Sequence, residues 1–272
     1  MAKIKLIATD MDGTFMTQAG QIHPDNIAAV AEAQAAGIAV VPATMRNLPF
    51  GRKLFEQSDF SGHSILCNGG AICDRDDSVL YSAAIAPDLL YRILRIFESV
   101  KYSIRVLTAG KILISSPSFA GSETNLRGPN NDWDYEGYDD LEALVKAVEK
   151  EALLVSLNPL AATNAPEDFV EYLEAETQGQ LTITSSKPKV LEIMARGVNK
   201  GYALARLAEL LGLGREEVMA IGDSYNDIPM IQWAGVGIVV GNAEQAVKDA
   251  ADYITASNDE AGAAKAIRKY AL

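Results

Sequence analysis

The sequence predicts an α/β fold in which a doubly wound, mainly parallel sheet forms a core and an α+β cap domain is inserted into it. Three observations lead to this prediction. Strand and helix patterns alternate in the first and last thirds of the 272 residues, short strand pairs with helices fill the middle, and polar residues follow the core strands. Such alternation is typical of a parallel sheet that helices cover on both sides.

The first third of the chain contains three predicted strands and two predicted helices. The strands are short apolar runs at 3–9, 38–44 and 64–68. A helix is predicted at 23–37, because Pro24 suits a first turn and Gly37 suits a helix end. A second helix is expected near 48–57, between the second and third strands.

The last third repeats the alternation. Its elements are predicted in the order helix 199–212, strand 217–221, helix 225–233, strand 236–240, helix 243–250 and a terminal helix from about 259. Apolar residues recur at helical spacing on one face of the first of these helices, at Leu204, Leu207, Ala208 and Leu211. That helix is expected to end at Gly212.

The middle of the chain has a different pattern. A helix at 87–100 presents one apolar face, made of Leu90, Ile93, Leu94 and Phe97. Strand pairs are predicted at 103–107 with 111–115 and at 181–185 with 189–194. The polar segment 128–140 is rich in turn-forming residues and is predicted to be a loop. The paired strands indicate an antiparallel sheet.

These patterns predict two domains. Residues 1–84 and 190–272 form the core, and residues 85–189 form the inserted α+β domain. Linkers between the two are expected near 83–86 and 188–196.

Composition and charge exclude several classes of protein. The net charge of −12 disfavours nucleic acid and anionic membranes as main partners, because both require basic patches. No apolar run is long enough for a transmembrane helix, and the N-terminal apolar stretch is too short for a secretory signal. We therefore expect a cytoplasmic protein that binds neither nucleic acid nor membranes.

The two cysteines, Cys67 and Cys73, do not predict a redox or metal site. Two are too few for a disulfide framework, and their spacing differs from the CxxC of zinc and redox sites. We expect both to be small buried residues.

Polar residues follow the predicted core strands where each strand ends. In an open parallel sheet, ligands bind beyond the carboxyl ends of the strands. The residues at these ends, or in the first turn of the neighbouring helices, are Asp10, Asp12, Gly13, Thr44, Arg46, Asn68, Lys200, Asp223, Asn226 and Asp227. We expect all of them at one rim of the sheet.

These residue types favour phosphoryl transfer assisted by a divalent cation. A cluster of carboxylates suits Mg²⁺, a hard cation that prefers oxygen ligands. A carboxylate such as Asp10 can attack phosphorus, and an acid two residues later, such as Asp12, can protonate the leaving oxygen. Lys200 and the Thr44 hydroxyl can neutralise phosphoryl oxygens, and Gly13 allows close backbone approach.

Each residue also has a simpler structural interpretation. A single Asp-x-Asp pair is common in turns, and Gly-Asp-x-x-Asn-Asp can cap a helix. Thr44 alone suits a local hydrogen bond, Lys200 alone suits a solvated helix, and Arg46 suits either a surface charge or an anion contact. The functional interpretation is favoured because all of these residues fall at strand ends on one rim.

Together the motifs resemble the haloacid dehalogenase-like (HAD) hydrolases, specifically the Cof-type phosphatases with a large cap between the second and third motifs. Residues 10–14, DMDGT, are similar to the first motif, and Thr44 to the second-motif threonine. Lys200 in GVNKG and the segment GDSYNDIPM resemble the third and fourth motifs. The C-terminal ADYITASNDEAGAAKAI resembles the usual ending of the subfamily, so the resemblance spans the chain, although only in outline through the cap.

The resemblance implies a HAD-like, Rossmann-like core and assigns roles to the acidic residues. Asp10 would be the nucleophile and Asp12 the general acid and base. Mg²⁺ would be held by Asp10, the main-chain carbonyl of Asp12 and Asp223, while Asp227 would orient a metal-bound water.

A second group of residues is expected to contact the substrate and its phosphate: Gly13, Thr44, Arg46, Lys200 and Asn226. The second motif departs from the family pattern, since Met45 stands where Thr-Gly-Arg has glycine. Methionine lacks the backbone freedom of glycine, so Met45 is expected either to narrow the site beside the phosphate or to shape the substrate pocket.

The leading hypothesis is a Mg²⁺-dependent phosphatase that hydrolyses small phosphorylated metabolites through an aspartyl-phosphate. Sugar phosphates are the first substrate class, followed by nucleotide or cofactor phosphates. The cap would close over the substrate and determine specificity. Lys187 near the second linker is a candidate contact to an anion, and we expect a monomer or a weak homodimer.

Three other functions use related residues. A phosphomutase would form the same aspartyl-phosphate and return the phosphoryl group to its substrate. A catalytically silent metabolite-binding or regulatory protein would keep only the fold. A signalling receiver module is disfavoured, because the predicted acceptor aspartate follows the first strand rather than the third and an inserted cap has no role there.

Overall fold

The structure is a computed structural model that describes residues 3–60, 62–97, 102–115, 135–138, 140–148, 150–159, 168–186 and 190–272. Its packing divides the chain into two units, which we call the core unit (1–46, 51–81 and 199–272) and the cap unit (47–50 and 82–198). The functional domains predicted at 1–84 with 190–272 and at 85–189 stay a prediction. Lys187 lies outside the described residues.

The described strands follow one another along the chain as β1 (Leu6–Thr9), β2 (Ala39–Pro42), β3 (Ser64–Leu66), β4 (Ala71–Cys73), β5 (Val79–Ser82), β6 (Tyr102–Leu107), β7 (Ile112–Ser115), β8 (Glu136–Tyr138), β9 (Leu154–Pro159), β10 (Leu181–Thr184), β11 (Leu191–Ala195), β12 (Val218–Gly222), β13 (Val236–Val239) and β14 (Tyr253–Ile254). The described helices are α1 (Pro24–Ala35), α2 (Leu48–Gln57), α3 (Pro87–Phe97), α4 (Leu141–Val148), α5 (Asp168–Glu176), α6 (Lys200–Leu210), α7 (Ile228–Trp233), α8 (Gln245–Lys248) and α9 (Gly262–Tyr270).

A five-stranded sheet with the order β14-β13-β12-β1-β2 forms the centre of the core unit. All of its neighbouring strands are parallel. A small second sheet has the order β3-β4-β5, and one parallel bridge, Ala43 to Ile65, connects β3 to the end of β2. Because parallel strands end at the same edge, this topology brings the residues that follow β1, β2, β3 and β12 together.

Helices cover both faces of the parallel sheet. Residues of one strand alternate between the two faces, so Ile7 packs into an apolar cluster with α1 and α9, while Leu6 and Ala8 pack into another with α6. The same alternation occurs in β12, where Met219 and its neighbour Ala220 belong to different clusters. Continuous apolar runs predict strands buried on both faces, and the structure confirms this prediction.

The cap unit contains a six-stranded sheet with the order β10-β11-β9-β6-β7-β8. Its pairs are antiparallel, as predicted, except that β7 and β8 are parallel. One face packs on α3 and α4 through a separate apolar cluster that includes Leu90, Leu144 and Val155. The structure therefore confirms the α/β fold class, with a parallel core sheet and an inserted sheet that is mixed.

The other face of the cap sheet carries a polar row. Arg105 of β6, Ser156 of β9 and Glu192 of β11 are direct neighbours across the sheet. Ser156 and Glu192 are buried, the Ser186 hydroxyl donates a hydrogen bond to Glu192, and burial lowers the pKa of Arg105. Buried polar groups of this kind require hydrogen-bonding partners, so this face differs in chemistry from the apolar face.

Several element predictions require correction. Residues 136–138, predicted as part of a loop, form β8, because the edge of β7 supplies backbone partners. Residues 128–134 and 139 of that loop, and 98–100 of the predicted helix 87–100, lie outside the described residues. The predicted second linker, 188–196, overlaps β11, and the predicted helix 243–250 is only the four-residue α8.

Two predicted helices begin with a short 3₁₀ turn before the α-helix. The first is Tyr225–Asp227 ahead of α7, and the second is Asn258–Glu260 ahead of α9. Among the helices that the structure describes, none is long and apolar enough to cross a membrane.

Candidate active site

The loop after β1 carries the first two acidic residues, and we call residues 10–16 the nucleophile loop. The amide of Asp10 donates to the Ile221 carbonyl of β12 at 2.9 Å, so the loop begins inside the sheet. Asp12 (φ −78°, ψ 107°) and Gly13 (φ 93°, ψ −9°) have the dihedrals of a type II turn, whose third position requires a positive φ. A Cβ at Gly13 would also lie 2.5 Å from Oδ2 of Asp223.

Lys200 lies in the middle of the site although it has no exposed surface. Its Nζ donates to Oδ1 of Asp10 and to Oδ1 of Asp227, both at 2.6 Å. Lys200 is the first residue of α6, and the Asn199 side chain caps this helix by accepting from the Tyr202 amide. The helix therefore delivers a buried ammonium group to two carboxylates from β1 and from the turn before α7.

The loop after β12 is held in place by its own acidic residue. Oδ2 of Asp227 accepts from the amides of Asp223 and Ser224 at 3.0 Å each. Oδ1 of Asp223 accepts from the Thr14 hydroxyl at 2.7 Å. Both oxygens of Asp227 are thus used within the protein, whereas Oδ2 of Asp223 accepts no hydrogen bond from the residues that the structure describes.

Asp10, Asp223 and Asp227 form a carboxylate cluster whose ligand atoms lie within 4.8 Å of one another. Burial raises the pKa of Asp10 well above its ordinary value, since the attraction of Lys200 offsets only part of the desolvation. Burial and the nearby charge of Asp227 raise the pKa of Asp223 to about 7. Three hard oxygen donors with excess negative charge fit a divalent metal ion.

The Asp12 side chain pairs with Arg46. The Arg46 guanidinium donates from Nε at 2.9 Å and from Nη2 at 2.6 Å, one bond to each oxygen of the Asp12 carboxylate. The Asp12 side chain is 36% exposed and Arg46 only 14%, so the pair lies at the opening of the site. The structure therefore brings Asp12 and Arg46 together, which the sequence does not predict.

The ends of β2 and β3 meet beside the cluster. The Thr44 hydroxyl accepts from the Arg46 amide at 3.2 Å, and the Thr44 carbonyl accepts from the Asn68 amide at 3.0 Å. Asn226 donates its side-chain amide to Oδ1 of Asn68 at 3.1 Å, while its own Oδ1 is buried and has no partner among the described residues. Such an acceptor is able to take a hydrogen bond from a hydroxyl or another donor of a ligand.

Thr14 and Asn68 also belong to the site, although the sequence pattern assigns them no role there. The Thr14 hydroxyl bonds Asp223, and the Asn68 side chain accepts from Asn226. Cys67 and Asn68 both have left-handed backbone conformations, with φ of 51° and 53°. Such strain is concentrated at functional sites. In the sequence, the only signal for Asn68 is its position at the end of a predicted strand, before two glycines.

Met45, which departs from the family motif, does not have a positive φ. The glycine that is usual there is therefore not required for a left-handed backbone in this chain. Both cysteines are buried and neither forms a disulfide, which confirms the prediction that they are small buried residues.

The core unit thus holds the site residues predicted at the strand ends, in three groups. Asp10, Asp223 and Asp227 surround Lys200, and Asp12 pairs with Arg46. Thr44 and Asn226 both bond Asn68. Gly13 connects the first two groups through the nucleophile loop. The chemical roles predicted for these residues stay predictions.

Comparison with known proteins identifies relatives along the whole chain. Residues 7–267 match the family of haloacid dehalogenase-like hydrolases. The 5-amino-6-(5-phospho-D-ribitylamino)uracil phosphatase YcsE of Bacillus subtilis (strain 168) is 34% identical over 275 residues, which cover 99% of this chain and 96% of that protein. Phosphatase YwpJ of the same strain is 33% identical over 284 residues, covering 96% and 98%. A solved haloacid dehalogenase-like hydrolase from B. subtilis has a TM-score of 0.86 at 28% identity, covering 98% of this chain and 100% of that one.

Proposed function

Since the chain belongs to the haloacid dehalogenase-like hydrolases and is a phosphatase of small phosphorylated metabolites, we propose that it hydrolyses sugar phosphates through an aspartyl-phosphate on Asp10, with Mg²⁺ as its metal. The observation that carries the proposal is the buried Lys200 between Asp10 and Asp227. A buried ammonium group at this position fixes the nucleophile and places positive charge where phosphoryl oxygens would gather.

The proposed reaction has two steps, both centred on Asp10. In the first, an oxygen of Asp10 attacks phosphorus, the bond from phosphorus to the substrate oxygen breaks, and Asp12 gives that oxygen a proton. In the second, water attacks the phosphorus of the aspartyl-phosphate, the bond from phosphorus to the Asp10 oxygen breaks, Asp12 takes a proton from the water, and inorganic phosphate leaves. Asp10 is then a carboxylate again, and Lys200 stays protonated throughout.

Arg46 lies between Asp12 and the place of the phosphate in this reaction. Its two hydrogen bonds go one to each oxygen of Asp12, and each of these oxygens keeps a second lone pair for the proton that Asp12 transfers. The oxygens of an incoming phosphate are strong acceptors for a guanidinium and offer Arg46 an alternative partner. Arg46 thus contributes both to phosphate binding and to the orientation of Asp12.

Asp10, Asp223 and the main-chain carbonyl of Asp12 would hold the metal, and Asp227 would support it from outside through Lys200 and the amide of Asp223. A bound divalent cation supplies positive charge that favours the carboxylate forms of Asp10 and Asp223 and neutralises phosphoryl oxygens. Mg²⁺ is proposed because it accepts a few carboxylates and completes its shell with water and substrate phosphate.

One observation supports sugar phosphates as the substrate class. The relative YcsE carries in its name a phosphorylated ribityl chain, which is a polyol phosphate. We also propose that the cap unit determines which phosphorylated metabolite the protein accepts.

The test is a panel of phosphorylated metabolites assayed for released inorganic phosphate in the presence of Mg²⁺. We expect sugar phosphates to give the highest kcat/KM. We also expect Asp10→Asn to abolish release from every substrate, because the amide is not a nucleophile. Asp25→Asn, an exposed aspartate of α1, serves as the matched control.

The outcomes separate the alternatives. Transfer of phosphate to a second position of the sugar, without release, would identify a phosphomutase, and no reaction with any substrate would indicate a silent binding protein. Turnover by Asp10→Asn at the wild-type rate would contradict the assignment of the nucleophile.

A further inference from the structure

Three asparagine side chains outside the site hold the nucleophile loop by its backbone carbonyls. Asn26 donates to the Phe15 carbonyl at 2.8 Å, Asn242 to the Gly13 carbonyl at 2.9 Å, and Asn258 to the Met16 carbonyl at 2.8 Å. We call these three residues the asparagine latch. Together they donate hydrogen bonds to three of the last four backbone carbonyls of the loop.

Two members of the latch use both ends of the amide. Oδ1 of Asn26 accepts from the Ala264 amide in α9, and Oδ1 of Asn242 accepts from the Asn258 amide, each at 2.9 Å. An asparagine has both a donor and an acceptor on one short side chain, so it can join two backbone segments. The latch thereby connects the nucleophile loop to the C-terminal segment 242–264.

Asn242 bonds the loop directly after its turn, whose two central residues are Asp12 and Gly13. Before the turn, the Asp10 amide bonds the Ile221 carbonyl of β12, and after it Asn242 bonds the Gly13 carbonyl, each at 2.9 Å. The turn is therefore fixed on both sides, which determines where the nucleophile loop places the Asp12 carbonyl.

The latch is not explained by stability alone. Asn242 is exposed and lies outside the apolar clusters of the core unit, and a single exposed hydrogen bond contributes only about 1 kcal/mol to stability. Asn258, in contrast, is only 4% exposed, and its amide orients Asn242. The surface residue is therefore placed by a buried one.

We propose that Asn242 is a positioning residue for phosphoryl transfer, which holds the turn at Asp12 and Gly13 in the place that the metal site uses. This inference rests on the proposed function, because it assumes that the Asp12 carbonyl binds the metal. The role requires an amide that donates to Gly13 and accepts from Asn258.

The test compares wild type with Asn242→Ala and Asn242→Leu, which remove the amide without changing charge. The probe is Mn²⁺ alone, titrated into the metal-free full chain by calorimetry. We expect about tenfold to 100-fold weaker Mn²⁺ binding, as for other residues that support a metal ligand. With an aryl phosphate, we expect kcat to fall more than KM rises.

Gln245→Ala is the matched control, since Gln245 is an exposed neutral amide of the same segment that bonds Asp249 instead of the loop. Melting temperatures should stay within about 2 °C of wild type in all variants, because the lost bond is exposed. The Gln245 variant should bind Mn²⁺ as wild type does.

The possible results are distinguishable. Wild type and both Asn242 variants binding Mn²⁺ equally well, with equal kcat, would overturn this inference and leave the proposed function intact. Wild type that binds no Mn²⁺ would overturn the proposed metal site and this inference with it.

Discussion

At the scale of single residues, the charge balance around Lys200 determines how the site behaves without metal. Burial alone would lower the pKa of the Lys200 ammonium, but the carboxylates of Asp10 and Asp227 raise it above its ordinary value. One ammonium and three carboxylates leave an excess of two negative charges when all are ionised. The protein can reduce this excess by keeping protons on Asp10 or Asp223, or by binding a cation.

We therefore expect metal affinity to depend on pH through Asp223. Its pKa is raised to about 7 by burial and by Asp227, so below that pH a proton must leave before the metal binds. Mn²⁺ affinity should therefore rise with pH through about 7. Calorimetric titrations between about pH 5.5 and 8.5, in buffers with different heats of ionisation, would count the released protons.

The raised pKa of Asp223 also determines how the free energy of unfolding depends on pH. An unfolded chain loses the Asp223 proton near the ordinary aspartate value of about 3.9, whereas the folded, metal-free protein keeps it up to about pH 7. The folded state binds more protons in this window, so the free energy of unfolding should fall as pH rises through it. Asp223→Asn should flatten both curves, and a Mn²⁺ affinity independent of pH would contradict the assignment.

At the scale of elements, the packing of helix α6 determines where a charged group of the site lies. Its first residue is Lys200, and its apolar face, with Leu204 and Leu207, is fully buried against the parallel sheet. The hydrophobic contact fixes where the helix lies, and the cap by Asn199 fixes where it begins. The position of the Lys200 ammonium is thus determined by packing several residues away.

Leu204→Ala should consequently destabilise the protein by about 2–5 kcal/mol, since it removes a buried side chain and leaves a cavity. Urea unfolding followed by circular dichroism measures the loss. Leu210→Ala on the same helix is the control, because Leu210 is 54% exposed and its truncation should change stability by less than about 0.5 kcal/mol. Similar losses in the two variants would contradict the packing described for α6.

At the scale of the whole molecule, the core unit contains its own apolar clusters and the cap unit contains another. The chain leaves the core unit at Tyr81 and returns at Asn199. These points are close in space, because the rings of Tyr81 and Tyr202 lie 6.0 Å apart and the Arg206 guanidinium lies over Tyr81. A short linker can therefore replace the insertion.

We expect a chain with residues 83–197 replaced by a few Gly and Ser residues to fold, to bind Mn²⁺ and to hydrolyse an aryl phosphate slowly. It should lose its preference among sugar phosphates. The start of α2 should fray, because Asn47 and Leu48 lose their bonds to Thr108, Ala109 and Lys111. Circular dichroism, calorimetry and the phosphate-release panel test these points, and an unfolded product would contradict the independence of the core unit.

The parts of this molecule that the sequence predicts are those with a local signal. Apolar runs ending in polar residues predict β1, β2, β3, β12 and β13, and parallel topology then places the strand-end residues at one rim. Strand β8 has only three residues, two of them exposed, so its sequence carries no strand pattern. It is a strand because its backbone pairs with β7.

Contacts between distant parts of the chain have no such signal. Asn242 and Gly13 are separated by 229 positions, and neither residue type indicates its partner. The pairing of Arg46 with Asp12 likewise depends on how two loops approach each other, with 34 positions between them. Sequence patterns predict which residues reach the rim, but side-chain pairing there follows from the packing of the loops.

The turn at Cys67 has a further consequence, for the reactivity of its sulfur. Burial raises the pKa of the Cys67 thiol, and burial with nearby acids raises that of Cys73 to about 11. Since only the thiolate reacts readily with iodoacetamide, both sulfurs are protected while the turn is closed. Cys67 directly precedes Asn68. The rate at which iodoacetamide alkylates Cys67 therefore measures how often this edge of the site opens.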